Sequence, residues 1–233
     1  MNDYSAQFQG AYYCAGLRSY LVKVYNYMAA ALGLTGAVAL VASFSHGLMN
    51  VLYGTPLHWV VSLAPIVMVF FLSSRVHSMS MRSVMFAFFG FAAMMGLSLS
   101  YVFMVYTAHS IARVFFISSA MFGVMALYGN TTKRDLSKFG AFLIMGVVGL
   151  LIASVVNIFV ASGPLHFAIS LVAVVVFTAM TAFDAQRIRD MYYRLSDGSE
   201  VTSSKMAVMG ATSLYFNYIN IFLSLLHLVG DRR

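Results

Sequence analysis

The sequence predicts an all-α membrane protein that crosses the bilayer about seven times. Its composition is the first observation: 61% of the 233 residues are hydrophobic and only 9% are charged. A soluble domain carries about 25% charged residues, because its surface must be wetted. The second observation is placement, since the charges fall in short clusters between long uncharged runs. The lipid bilayer is therefore the expected surrounding medium of this chain.

The uncharged runs set the number of spans, because each span needs about 20 apolar residues. Residues 24–74 hold two spans, with a turn near Ser45–Pro56, and residues 139–183 hold two more, divided at Ser162–Pro164. Backbone polar groups in lipid must be satisfied internally, which favours helices for every span. The expected spans are 25–44, 57–73, 84–106, 111–129, 139–161, 165–184 and 206–229.

The basic residues predict the orientation of these spans. Eleven of the 14 Lys and Arg residues fall on one side, which is expected to be the cytoplasm. The eleven are Arg18, Lys23, Arg75, Arg82, Lys133, Arg134, Lys138, Arg187, Arg189, Arg194 and Lys205. This clustering assigns the net charge of +7 to membrane orientation and not to nucleic-acid binding. The expected organisation is a cytoplasmic segment 1–23, a transmembrane domain 24–230 and a tail 231–233 on the outer side.

A stripe of polar residues runs along the seventh expected span. Its members are Ser213, Asn217, Asn220, Ser224 and His227, at steps of four, three, four and three residues. These steps place all five on one helical face, which is costly in lipid and should point to the bundle interior or to water. Two interpretations stay open: hydrogen bonds that hold helices together, or the lining of an ion path.

Asp184 is the only acidic residue that can sit at membrane depth, where it closes the sixth expected span. Thr178 and Thr181 precede it at steps of three, which continues the polar side of that helix. One interpretation is a helix-end carboxylate paired with Arg187. The other is an ion ligand or a proton-linked gate, which makes Asp184 a weak calcium-ligand candidate.

Motifs of soluble enzymes do not occur in the chain. It has no nucleotide-binding loop, no HExxH and no GxSxG, so no enzymatic activity, catalytic residue or cofactor is expected. The six histidines show no ligand-like spacing, and the one cysteine, Cys14, cannot form an intrachain disulfide. Small residues four apart predict close helix packing. They are Ala29, Gly33 and Ala37 in one span, and Ala92, Gly96 and Ser100 in another.

Five ordered strings resemble bacterial members of the Bax inhibitor family. The most specific is LYGNTTKRDL at 127–136, and AFDAQ at 182–186 and SLYFNYINIF at 213–222 follow it. The other two are GLRSYLVKVY at 16–25 and the pair VYT and SIA within 105–112. The resemblance therefore runs from residue 16 to near the C-terminus.

The resemblance implies a seven-helix bundle in the bacterial inner membrane, with the last helix at the centre. It also implies an N-terminus inside and a C-terminus outside. Family members are proposed to be pH-sensitive calcium leak channels, in which calcium is the permeant ion. Some bacterial relatives instead bind and restrain a membrane-anchored ATP-dependent protease, so a non-conducting membrane regulator is the alternative function. The oligomeric state is not implied.

In the family, two aspartates on the sixth and seventh helices hold the pore closed, and an arginine near the end of the second helix latches them. These positions correspond here to Asp184, Asn217 and Arg75, so the second aspartate is replaced by asparagine. An amide removes the repulsion between two carboxylates, and we expect gating by pH to be weakened or shifted. The remaining pore-lining candidates are Ser213, Asn220, Ser224, His227 and Thr181.

Overall fold

Helices make up nearly all of the computed structural model, which describes residues 2–76, 78–194 and 200–233. Within that part the chain forms no β-strand. The helices are α1 (Asn2–Phe44), α2 (His46–Tyr53), α3 (Leu57–Arg75), α4 (Met81–Val105), α5 (Ala108–Thr131), α6 (Ser137–Val160), α7 (Gly163–Arg194) and α8 (Glu200–Val229). The side chains of His46, His58 and His77 lie outside the described part, so only the other three histidines can be placed.

Six of the described helices are long and apolar enough to cross a membrane. They are Gly16–Phe44, Met81–Val105, Ala108–Thr131, Ser137–Val160, Gly163–Arg194 and Thr202–Val229. Helix α3 has 19 residues and packs along α4. The all-α architecture expected from the sequence is therefore confirmed, together with at least this number of apolar helices.

Several helix ends differ from the sequence prediction. Helix α1 begins at Asn2 and not near residue 25, so the polar N-terminal segment continues the first apolar helix. The expected turn at 45–56 contains the short helix α2, which Ser45 caps by accepting a hydrogen bond from the backbone N–H of Leu48. Helix α7 extends ten residues past Asp184, because no proline, glycine or capping residue interrupts Ala185–Arg194. Asp184 therefore lies within a helix and not at its end.

Helix α8 is the most enclosed of these elements. Half of its most apolar stretch is buried within the protein, compared with 6% for Ser137–Val160. It packs against α1, α4, α5 and α7. The apolar side chains of Leu214, Tyr215 and Ile221 are as fully buried as the polar side chain of Asn217. Both faces of this helix are thus covered by protein.

The two ends of the chain lie at opposite ends of the bundle. Near the N-terminus, the rings of Tyr20 and Tyr192 are 5.3 Å apart, which places the start of α1 beside the end of α7. At the C-terminus, the backbone N–H of Arg233 donates to the carbonyl of Val105 at 2.9 Å, which places the tail beside the end of α4. The ring of His227 contacts both Tyr106 at the end of α4 and His166 at the start of α7. Helix α7 therefore begins where α4 ends, and its own end lies at the opposite side.

The two stripes of small residues behave differently. Gly96 is buried against α1, where a Cβ atom would lie 2.7 Å from the carbonyl oxygen of Thr35 and 2.8 Å from the Cβ of Val38. Ala92 is also buried, and its carbonyl accepts a hydrogen bond from the hydroxyl of Thr35 at 2.8 Å. Gly33 is exposed, and its Cβ position has no neighbour within 4 Å. Close packing is therefore confirmed for one stripe, while the other faces outward.

Gly96→Ala should destabilise the protein, because α1 and α4 must separate to admit the added methyl group. Overpacking of this kind costs about 1–3 kcal/mol. Thermal unfolding of purified protein in one detergent would measure the change. Gly33→Ala is the matched control and should leave the midpoint unchanged or raise it slightly, since alanine is the better helix former. Equal midpoints for the two variants would contradict the close approach at Gly96.

Candidate functional site

The side chains of Asp184 and Asn217 meet inside the protein. The Nδ2 of Asn217 donates a hydrogen bond to Oδ2 of Asp184 at 2.7 Å, joining α7 to α8. Asp184 is only 5% exposed and Asn217 only 4%. Burial of a carboxylate is costly unless it receives hydrogen bonds, and the amide supplies one here. The pairing expected from the resemblance is thus present in the geometry, with an amide in place of the second carboxyl group.

Basic side chains near this pair are few. Arg187 lies three residues after Asp184 on the same helix, and it is the cation that exerts an electrostatic influence on the carboxylate. Arg75 is exposed at the end of α3, and no ion pair within the described residues joins it to Asp184. Helix α3 packs on α4 and α2, away from the α7–α8 contact. The structure therefore does not bring the predicted latch arginine to the pair.

The α5–α6 connection fixes the part of α7 that carries Asp184. Gln186 is 4% exposed, and its Oε1 accepts a hydrogen bond from the backbone N–H of Leu136 at 2.7 Å. Its Nε2 donates to the carbonyl of Arg134 at 2.8 Å, and Arg189 donates to the carbonyl of Asn130, also at 2.8 Å. The segments 127–136 and 182–186, which both carry the family resemblance, are thus joined by hydrogen bonds. The role of Gln186 was not predicted, although its place in the AFDAQ string could have indicated it.

Asp135 lies outside this pair, in the exposed connection between α5 and α6. Its Oδ1 accepts a hydrogen bond from the backbone N–H of Ser137 at 2.9 Å. Hydrogen bonds from the side chain and backbone of Ser137 lower the pKa of the Asp135 carboxyl below its ordinary value, and the charge of Lys138 adds to this effect. Asp135 is therefore an ionised surface carboxylate whose environment differs fully from that of Asp184.

The polar stripe of α8 divides into parts with different partners. Ser224 is buried, Ser213 and Asn220 are partly buried, and His227 is exposed at the end of the helix. The amide of Asn220 donates to the carbonyl of Phe216 in its own helix at 2.8 Å. Thr181 likewise bonds its own helix, at the carbonyl of Phe177. Asn217 is thus the member of the stripe that forms a described hydrogen bond to another helix.

Hydrogen bonds between α8 and other helices come mainly from tyrosines outside the stripe. The hydroxyl of Tyr215 lies 2.7 Å from that of Thr35 in α1. The hydroxyl of Tyr218 lies 3.0 Å from that of Ser119 in α5. Among the described hydrogen bonds, these tyrosines and Asn217 therefore join α8 to its neighbours, and no pattern in the sequence indicated the tyrosine contacts.

Two cavities border α7 on either side of Asp184. The larger, of about 430 Å³, lies between α6, α7 and α8 towards the C-terminal end of α8. Its polar lining consists of Ser154, Asn157, His166, Ser170, Asn220, Ser224 and His227. The smaller, of about 340 Å³, is lined at the opposite end by residues that include Ser137, Gln186, Arg187, Asp190 and Arg194. The Asp184–Asn217 pair lies between them along the helix.

His166 and His227 are brought together at the mouth of the larger cavity. Their ring centroids are 4.8 Å apart, although the sequence showed no ligand-like spacing between histidines. Within the described residues, no group of three or more His, Cys, Asp or Glu side chains could hold a metal ion, and Asp184 has no second carboxylate beside it. This pair of imidazoles was not predictable, because it joins the first turn of α7 to the last turn of α8.

The fold and the site define a multi-pass helical membrane protein with a buried carboxylate–amide pair between its last two helices. The chain belongs to the Bax inhibitor-1 family, because the family described as "Inhibitor of apoptosis-promoting Bax1" matches residues 17–233. The resemblance seen in the sequence is thus confirmed.

Relatives of similar length occur in several bacteria. Protein RP147 of Rickettsia prowazekii is 41% identical, over 94% of this chain and 92% of its own length. The inner membrane protein YbhL of Escherichia coli K12 is 38% identical, over 94% of each chain. A membrane protein of Streptococcus pyogenes serotype M1 is 28% identical over 99% of each chain. Together with the apolar helices, these relatives support a multi-pass protein of the inner membrane.

Proposed function

We propose that this protein is a calcium leak channel of the inner membrane, with a gate formed by Asp184 and Asn217. The observation that carries the proposal is the buried hydrogen bond of 2.7 Å between these two side chains. An acidic residue inside a membrane helix is costly and marks an ion path more often than a structural contact. No catalytic role is proposed for any residue of the chain.

We further propose seven spans with α8 at the centre. The two ends of the chain lie at opposite ends of the bundle, which requires an odd number of crossings, whereas the long apolar helices number six. Helix α3 supplies the additional span, since 19 residues extend about 28 Å, close to the thickness of the hydrocarbon core. The excess of basic residues at the α5–α6 end supports an orientation in which that end and the N-terminus face the cytoplasm.

The proposed path runs along α7 and α8 between the two cavities. The larger cavity, which the proposed orientation puts on the outer side and which is called the outer cavity below, is lined by Asn220, Ser224 and His227. These residues follow Asn217 along the polar stripe. The hydroxyl of Thr178 is buried between this cavity and Asp184 and has no hydrogen-bond partner among the described residues. Buried polar atoms without protein partners are commonly satisfied by water. A continuous row of polar groups thus supports a hydrated route that the Asp184–Asn217 contact closes.

A path with a single carboxylate is suited to a calcium ion that permeates and not to one that is tightly bound. Tight calcium sites collect six to eight oxygen ligands, several of them charged. The described residues offer one carboxylate, one amide and several hydroxyl groups, which favours weak binding and release. A weak site in a narrow path is what a leak requires.

Asp184→Ala should lower calcium flux by about tenfold or more. The substitution breaks the contact that closes the route, but a divalent ion then meets no carboxylate at this point of the path, and the lost charge outweighs the lost contact. Purified protein would be reconstituted in liposomes that contain a calcium-sensitive dye, and the initial rate of entry measured. Asp135→Ala is the matched control, since it removes an exposed carboxylate in the α5–α6 connection and should leave the rate unchanged.

Two outcomes would overturn the proposal. The first is that liposomes with wild-type protein take up no more calcium than protein-free liposomes between pH 6 and 8. The protein would then not be a channel, and this result is the one expected of a non-conducting regulator of other membrane proteins. If Asp184→Ala, folded by size-exclusion chromatography, conducts as the wild type does, the path does not pass this carboxylate.

A further inference from the structure

The imidazoles of His166 and His227 face each other across the mouth of the outer cavity. His166 lies in the first turn of α7 and His227 in the last turn of α8, with ring centroids 4.8 Å apart and ring planes at 57°. Both line the cavity of about 430 Å³. In the part of the chain that the structure describes, neither ring forms a hydrogen bond to protein. Each neutral imidazole therefore has one nitrogen lone pair that no described protein group occupies.

The spacing of the two rings matches that of two imidazoles on one metal ion. A zinc–nitrogen bond is about 2.0–2.1 Å long, so two imidazoles on a tetrahedral ion have centroids about 5 Å apart. The observed 4.8 Å differs from this by a few tenths of an ångström, which a side-chain rotation supplies. Neutral imidazole is a preferred ligand for zinc, copper and nickel, whereas calcium requires oxygen ligands.

The remaining positions of such an ion would be filled by weaker donors. Asn157 and Ser154 of α6 line the same cavity, and the amide oxygen of Asn157 accepts one hydrogen bond, from the backbone N–H of Ser162. No third His, Cys, Asp or Glu joins the two histidines within the described residues. An amide oxygen, hydroxyl groups and water would therefore complete an open coordination sphere, as in sites where an ion binds reversibly.

Nearby charges limit the affinity of this site. Arg232 stacks on the ring of Tyr106 at 5.9 Å, and that ring lies 6.4 Å from His227. The closest acidic group of the tail, Asp231, is held by Ser110 and Arg113 and does not line the cavity. Among the described residues around the site, a bound divalent cation thus has Arg232 nearby and no acidic side chain in the cavity lining, which favours a modest affinity.

We propose that His166 and His227 form a two-imidazole site for a divalent transition-metal ion of the zinc, copper and nickel class. The ion would be bound at the end of the outer cavity that the first turn of α7 and the last turn of α8 line. Binding of the ion does not depend on the proposed channel function, and only an effect of the ion on calcium flux would depend on it.

Metal binding is tested on full-length protein in detergent, prepared without a polyhistidine tag, by titration calorimetry with zinc chloride. Wild type should bind one zinc ion, and His166→Ala and His227→Ala should each weaken binding by about tenfold or more, since each removes one of two strong ligands. The matched control is His109→Ala, which removes an exposed histidine from the first turn of α5 and should bind as the wild type does.

Electron paramagnetic resonance with one equivalent of copper(II) provides the second measurement. Wild type should show coupling to two imidazole nitrogens, and each of the two single variants coupling to one at most. His166→Gln and His227→Gln keep a polar side chain of similar size and should also lose zinc, which separates ligand loss from misfolding. Absence of zinc binding to wild type, or binding unchanged by either substitution, would overturn the site. Equal loss in His109→Ala would do the same.

Discussion

Gly129→Ala is expected to be the most destabilising single-methyl change in the bundle. Gly129 is buried in α5, and an added Cβ would collide with the backbone carbonyl of Ala182 in α7. Backbone atoms cannot rotate away as a flexible side chain can, so the two helices must move apart. We expect a loss of about 3 kcal/mol, at the upper end of typical overpacking costs, and a clearly lowered unfolding midpoint in detergent.

Gly123→Ala provides a control within the same helix. Its Cβ position has no neighbour within 4 Å, so alanine should be neutral or slightly stabilising through its helix propensity. Similar unfolding midpoints for Gly129→Ala and Gly123→Ala would show that α5 and α7 are not in close contact at this point.

Asn217→Asp is expected to introduce a steep pH dependence of calcium flux that the wild type lacks. An amide can donate to an ionised Asp184 or accept from a protonated one, so the wild-type pair persists in both states. Two carboxyl groups at this distance must instead share a proton and separate when that proton is lost. Flux through the variant should therefore rise between pH 6 and 8, by up to about tenfold per pH unit.

The pH series is measured in liposomes with the same pH on both sides, on wild type and Asn217→Asp in parallel. Asn220→Asp is the matched control, because it introduces a carboxylate one turn away, where the described hydrogen bond of the native amide goes to Phe216 of its own helix. This control should change the amplitude of the flux without the steep pH profile. The role given to Asn217 is wrong if wild type and Asn217→Asp show the same steep dependence.

Local features of the molecule were predictable from local sequence. Runs without charged residues located the apolar helices, because lipid admits few charges whatever the fold. The steps of four and three residues placed Asn217 and Ser224 on one face of α8, and both are buried. The length of α7 was not predictable in the same way. This helix continues past Asp184 through a polar segment that ends at Arg194, whereas the absence of charged residues marked only its apolar part.

Contacts between residues distant in sequence could not be predicted from local sequence patterns. Only the family resemblance linked Asp184 to Asn217, which are 33 residues apart and hydrogen-bonded. That resemblance also indicated Arg75, which the structure leaves exposed and unpaired with Asp184 in its described part. Nothing in the sequence indicated the ring contact of His166 with His227 or the binding of Gln186 to the α5–α6 connection.

Residue type and spacing are enough to predict a helical membrane protein, because the solvation of charged and apolar groups depends on them alone. Which polar groups meet inside the protein depends instead on how its helices pack. Asp184 finds an amide, the two histidines find each other, and one of two similar small-residue stripes packs closely. These contacts depend on how whole helices pack. That packing is set jointly by side chains several turns apart on each helix.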